Sequence, residues 1–97
     1  MELSEFQRLI DTMYSHKDRR RGSAGTFLWL AEEIGELAAA IGQGTREQKA
    51  EEFADVLAWL ATLANVEGVD LAEAVRAKYG SGCPGCGQVV CTCEEKP

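Results

Sequence analysis

Apolar residues recur along this chain at spacings of three and four, the signature of amphipathic helices, and nowhere alternate as a strand requires. Phe6, Leu9, Ile10, Met13 and Tyr14 predict a first helix over about residues 4–16, opened by a Ser4/Gln7 capping box. Phe27, Leu30, Ile34, Leu37, Ala38 and Ile41 predict a second over about 26–41, stopped by Gly42. A third, over about 45–66, opens on a Thr45/Gln48 capping box, carries Phe53, Val56, Leu57, Leu60, Leu63 and Ala64, and ends at Gly68. Asp70 with Glu73 caps a short fourth helix that bears Leu71, Ala74 and Val75 and reaches Tyr79, before Gly80. The predicted fold class is all-α: an antiparallel helical hairpin with two flanking helices. Residues 1–80 form this domain and residues 81–97 a separate tail.

Two acidic strings interrupt the apolar pattern, Glu32-Glu33-Ile34-Gly35-Glu36 and Glu52-Phe53-Ala54-Asp55. Residues three apart share a helix face, so Glu33 pairs with Glu36 and Glu52 with Asp55. Folding the chain back at Gly44 sets positions whose numbers sum to 88 opposite each other: Glu36 to Glu52, and Glu33 to Asp55. The resulting box lies roughly 12–17 Å from the turn. Carboxylates so close repel and raise one another's pKa unless a cation neutralises them, and an oxygen-only donor set suits Mg²⁺ or Mn²⁺ better than zinc. Trp29 and Trp59 also sum to 88, one turn farther from the bend. They are either packing aromatics or a stacking platform for a nucleobase.

Between the first two predicted helices runs His16-Lys17-Asp18-Arg19-Arg20-Arg21-Gly22-Ser23-Ala24-Gly25, expected to be a flexible loop. Its cations are either solvated or close on a polyphosphate, Arg21 being suited to bidentate contacts. Nothing near His16 in sequence forms a nucleophile and base pair with it. Ninety-seven residues give one small core, which implies help from oligomerisation or a bound metal. A net charge of -6 argues against nucleic acid as a general partner. No apolar run approaches the ~20 residues that span a bilayer, and Met1-Glu2-Leu3-Ser4-Glu5 is unlike a secretory signal, so a cytoplasmic location without membrane contact is expected.

The two acidic strings together resemble the E-E-x-x-E and E-x-x-D signature of the MazG-type, all-α nucleoside triphosphate pyrophosphohydrolases. Leu30-Ala31, Leu37, Val56-Leu57-Ala58-Trp59-Leu60 and the fourth helix from Val69-Asp70-Leu71 to Lys78 also suit that family, over about residues 4–80. The resemblance implies cleavage between the α and β phosphates of a (d)NTP, giving a nucleoside monophosphate and pyrophosphate in nucleotide-pool housekeeping. It implies Glu33, Glu36, Glu52 and Asp55 as Mg²⁺ ligands, with Glu32 serving a second metal or orienting the attacking water. Lys78 is either a phosphate contact or a solvated helix-terminal lysine. Family members pair hairpins into four-helix bundles, which implies a homodimer or homotetramer. The rival reading is a non-catalytic helical adaptor that binds a partner protein through its tail.

That tail holds all four cysteines: Cys83-Pro84-Gly85-Cys86-Gly87, then Cys91-Thr92-Cys93. A C-x-x-C followed by a C-x-C matches tetrahedral zinc, and the Cys-Pro-x-Cys-Gly turn resembles a zinc knuckle. A redox dithiol or an iron–sulfur cluster are the alternatives. The expected role is structural; Lys96 is the sole cation after Lys78, which argues against nucleic-acid binding.

Overall fold

The structure, a computed structural model, describes residues 1–95; Lys96 lies outside them. Among the described residues there are three α-helices and no strand: α1 (Leu3–Gln43), α2 (Arg46–Glu67) and α3 (Leu71–Tyr79). The expected loop over 16–25 reduces to one non-helical residue, Gly22 (φ 77°, ψ 178°), so the first two predicted helices stand as two arms of α1 that meet at a kink. A straight helix of 41 residues would reach roughly 60 Å, whereas the longest dimension of the molecule is 42 Å. Only glycine adopts that φ without strain, so Gly22 permits the bend that folds α1 back over α2.

Side chains stitch the bend. Arg21 Nη1 donates to Asp18 Oδ1 at 3.1 Å and to Thr26 Oγ1 at 3.3 Å, bridging the two arms of α1. Ser23 Oγ donates to Glu67 Oε2 and ties the second arm to the end of α2. From there this arm runs antiparallel to α2, Trp29 meeting Trp59 and then Glu33 and Glu36 meeting Glu52. Gly44 caps α1, with its N–H bonded to Ala40 O at 2.7 Å; a β-carbon on Gly44 would sit 2.7 Å from that oxygen. Helix α1 thus continues through Gly42, where it was expected to stop. Helix α2 opens on the expected capping box, Thr45 N–H to Gln48 Oε1 at 2.9 Å and Gln48 N–H to Thr45 Oγ1 at 3.1 Å, and ends at Gly68 in the left-handed region. Asp70 caps α3 by accepting from Glu73 N–H.

The Ser4/Gln7 capping box does not form, because the helix begins earlier and Glu2 pairs with Glu5, Glu2 N–H donating to Glu5 Oε1 at 3.1 Å. Gln7 is freed for a tertiary role. Its Nε2 donates to Asn65 Oδ1 and Val69 O, and its Oε1 accepts from Leu71 N–H, so this buried amide joins the first arm of α1 to the α2–α3 junction.

The core is small. Among the described residues the fully buried apolar side chains are Ile10, Leu30, Ala61 and Ala64, whereas Phe27, Ile34, Ile41, Phe53, Leu57 and Leu60 from the predicted stripes stand exposed. No helix among the described residues is long and apolar enough to cross a membrane.

Candidate active site

Carboxylate oxygens of Glu33, Glu36 and Glu52 lie within 4.8 Å of one another. Glu33 and Glu36 project from one turn of α1, and the Gly44 bend with its capping box places Glu52 of α2 against them. Oε2 of both Glu33 and Glu52 is buried without a hydrogen-bond partner. Burial lifts the Glu33 carboxyl to about 7, helped by its hydrogen bond with Glu36 and by the charges of Glu36, Asp55 and Glu52. Glu52 is raised as well, by burial first and then by Glu36 and Asp55. Orphaned oxygens and mutual repulsion are what a hard cation would remove, so the donor set fits Mg²⁺ or Mn²⁺.

The other sequence-derived candidates are placed as follows. Asp55 is not one of the three mutually close acids; it lines a neighbouring cavity of about 350 Å³ while its charge still acts on Glu33 and Glu52. Glu32 is exposed and outside the cluster. Trp29 and Trp59 stack with centroids 5.9 Å apart and planes at 14°, and the Arg21 guanidinium lies 4.8 Å over the Trp59 ring. Lys78 on α3 sets its ammonium 5.6 Å from its neighbour Tyr79. Lys17, Arg19 and Arg20 are exposed, whereas Arg21 is half-buried against Asp18.

The cavity beside Asp55 is lined by Ile10, Tyr14, Lys17, Asp18, Arg21, Ala58, Trp59 and Thr62. Sequence reading passed over Asp18 as part of a charge run. The available signal was spacing: continued by one turn, the Ile10/Tyr14 face reaches Asp18.

The raised Glu33 carboxyl has a consequence for stability. Between its ordinary value of 4.5 and about 7, the folded chain binds a proton there that the unfolded chain does not. Unfolding free energy therefore falls as pH rises through that window and is unaffected by this group above it. The melting temperature of metal-free protein should drop between about pH 5 and about pH 8, and Glu33→Gln should flatten the slope. An unchanged slope in the variant would remove Glu33 as the source.

In the tail, the four Sγ atoms of Cys83, Cys86, Cys91 and Cys93 lie within 4.8 Å of one another, Cys83 and Cys93 at 4.0 Å. Backbone N–H groups of Gly85, Thr92 and Cys93 point at Cys83, Cys86 and Cys91 from 3.4, 3.4 and 3.3 Å. Those from Thr92 and Gln88 bring the Cys86 thiol down to about 6, and Cys91 is lowered by Cys93 N–H. Cys93, hydrogen-bonded to Cys91, is pushed up to about 11.

Against known proteins, the chain is 49% identical over 61 residues to a dATP/dGTP diphosphohydrolase of cyanophage S-2L, a stretch covering 63% of this chain and 52% of that protein. The chain thus spans about half the length of that relative. Residues 21–86 match the MazG nucleotide pyrophosphohydrolase domain, a span that starts at Arg21, holds both acidic strings and ends at Cys86. With more than half of its length so matched, and its acidic strings meeting across a helical hairpin, the chain belongs to the MazG nucleotide pyrophosphohydrolase domain family.

Proposed function

We propose that the chain is a Mg²⁺- or Mn²⁺-dependent nucleoside triphosphate pyrophosphohydrolase that splits the α–β phosphoanhydride of a (d)NTP and keeps the nucleotide pool in order. The observation that carries this is the meeting of Glu33, Glu36 and Glu52, with buried, partnerless oxygens on two of them. The name of the phage relative, which acts on dATP and dGTP, supports the reaction class. Glu33, Glu36 and Glu52, with Asp55 beside them, would hold the cation, which would supply positive charge against the phosphates and the departing pyrophosphate. Glu32, exposed on the adjoining position of α1, orients water or serves a second ion. Trp29 keeps part of its ring surface open for a base, and Lys78 supplies positive charge to the phosphates, while Arg21, held by Asp18 and Thr26 over the Trp59 ring, stands on the base side.

Incubating the protein with a panel of NTPs and dNTPs should yield nucleoside monophosphate and pyrophosphate in equal amounts with Mg²⁺, and neither in the presence of chelator. Release of orthophosphate would reject α–β cleavage, and silence across the panel would reject the enzyme and favour a helical adaptor. The working form is a homodimer or homotetramer in which the exposed apolar stripes of two hairpins cover each other. A reducing cytoplasm suits four unpaired thiols.

The tail holds a structural zinc. Tetrahedral Zn–S bonds near 2.3 Å require sulfur pairs about 3.8 Å apart, and this sulfur cluster, with Cys83 and Cys93 at 4.0 Å, is close to that size. Backbone donors aimed at three sulfurs stabilise thiolates, and four cysteine ligands leave no open position for chemistry. Metal analysis should find about one zinc per chain, lost when Cys83 and Cys86 become serine, while the helical domain keeps its circular dichroism. Protein purified from zinc-containing medium without the metal would reject the site.

A further inference from the structure

Asp18 is a carboxylate with unfinished hydrogen bonding inside a cavity next to the acidic cluster. It is 3% exposed, lines the 350 Å³ cavity, and accepts at Oδ1 from Arg21 Nη1 at 3.1 Å, while Oδ2 is buried with no partner. A buried carboxylate oxygen left unmatched is costly, so its persistence calls for a donor that arrives from outside. The cavity says what kind. Ile10, Tyr14, Ala58 and Trp59 give it apolar and aromatic lining, Lys17 and Arg21 stand there with Asp18, and Asp55 links the same cavity to the acidic cluster. A carboxylate oxygen only accepts, so it calls for an N–H, which a nucleobase offers and an ionised phosphate does not.

We infer that Asp18 reads the base of the nucleotide, its free Oδ2 accepting from the exocyclic amino group of adenine, guanine or cytosine. The inference rests on the nucleotide reading above and deepens it by assigning the end of the substrate opposite the phosphates. Arg21 acts behind Asp18: its bonds to Asp18 and Thr26, together with its place over Trp59, fix the carboxylate across the Gly22 bend. Adenine, guanine and cytosine present an amino donor to such an oxygen. Thymine and uracil present a keto oxygen in the equivalent place, next to their one N–H.

The test compares substrates that differ by one amino group, using the intact chain with Mg²⁺: dATP against the triphosphate of 2′-deoxypurine riboside, and dGTP against dITP. With wild-type protein, kcat/KM should favour the amino-bearing member of each pair by roughly ten- to a hundredfold. Asp18→Asn should bring that ratio close to one, chiefly by slowing the amino-bearing substrates. Equal kcat/KM within both pairs for the wild type would overturn the assignment, as would a uniform loss across all four substrates in the variant, which would make Asp18 a packing residue. Should Asp18→Asn fail to fold, the wild-type pairs decide alone. Should no triphosphate release pyrophosphate, the enzymatic reading falls separately, and calorimetric titration with dAMP against its des-amino analogue still tests the base contact: tighter binding of dAMP supports it and equal binding rejects it.

Discussion

Glu36→Gln is expected to cut pyrophosphate release by about a thousandfold, ~4 kcal/mol of barrier, while raising the melting temperature of metal-free protein. The two effects share one cause. Glu36 acts on both other acids, hydrogen-bonding Glu33 and repelling it, and repelling Glu52. A neutral amide of the same shape removes that repulsion and can donate to Glu33, so the empty cluster relaxes. The same change takes away an anionic oxygen from the group that must hold a divalent ion, and with it the charge that draws the ion in. Initial rates at saturating Mg²⁺, with melting curves recorded in chelator, give both readings. Full activity in the variant would move the metal elsewhere, and a lowered melting temperature would mean that Glu36 is a structural residue. Opposed changes in activity and stability are the pattern of a site held under charge strain for function.

The convergence of these acids was legible in the sequence because a short bend with defined caps fixes register. Thr45 and Gln48 pair as their spacing predicts, Gly44 admits the close approach to Ala40, and the rule that opposed positions sum to 88 then places Trp29 on Trp59 and Glu36 by Glu52. Helix propensity along α1 was a poorer guide. Gly22, Ser23 and Gly25 in a run of like charge read as a loop, and tertiary bonds decide otherwise: Arg21 joins Asp18 to Thr26, and Ser23 reaches Glu67, over forty residues away. Of these partners only Glu67 lies beyond the reach of a local pattern. The Ser4/Gln7 motif fails for a related reason, since Gln7 finds stronger use bridging Asn65, Val69 and Leu71 than capping its own helix. Asp18 was hidden by its neighbours, a single acid among Lys17, Arg19, Arg20 and Arg21 whose burial depends on the bend.

Phe53→Glu should convert an oligomer into a monomer, because this chain leaves outside much of what its stripes were built to bury. Phe27 is 57% exposed and Ile34 51% exposed, and with Ile41 they recur every seven residues along α1; Phe53, also 57% exposed, stands with Leu57 and Leu60 on α2. Phe27 and Leu63 border an open, almost wholly apolar groove between the two helices. Each large side chain taken from water contributes about 1.5–3 kcal/mol. Already about half-buried, the six on each of two copies together offer on the order of 10 kcal/mol before association costs are subtracted. A carboxylate in place of Phe53 removes one such contribution and must itself be desolvated, so association should weaken by at least about a hundredfold. Sedimentation velocity across a concentration series measures this directly, and the wild-type melting temperature should rise with protein concentration while that of the variant does not. A wild type that sediments as a monomer throughout, with a concentration-independent melting temperature, would reject self-association. None of Glu33, Glu36 and Glu52 lines the Phe27–Leu63 groove, so a partner seated in that groove leaves them uncovered there. Loss of the dimer should then lower stability first, and activity only as far as the hairpin that sets the acids loses its rigidity.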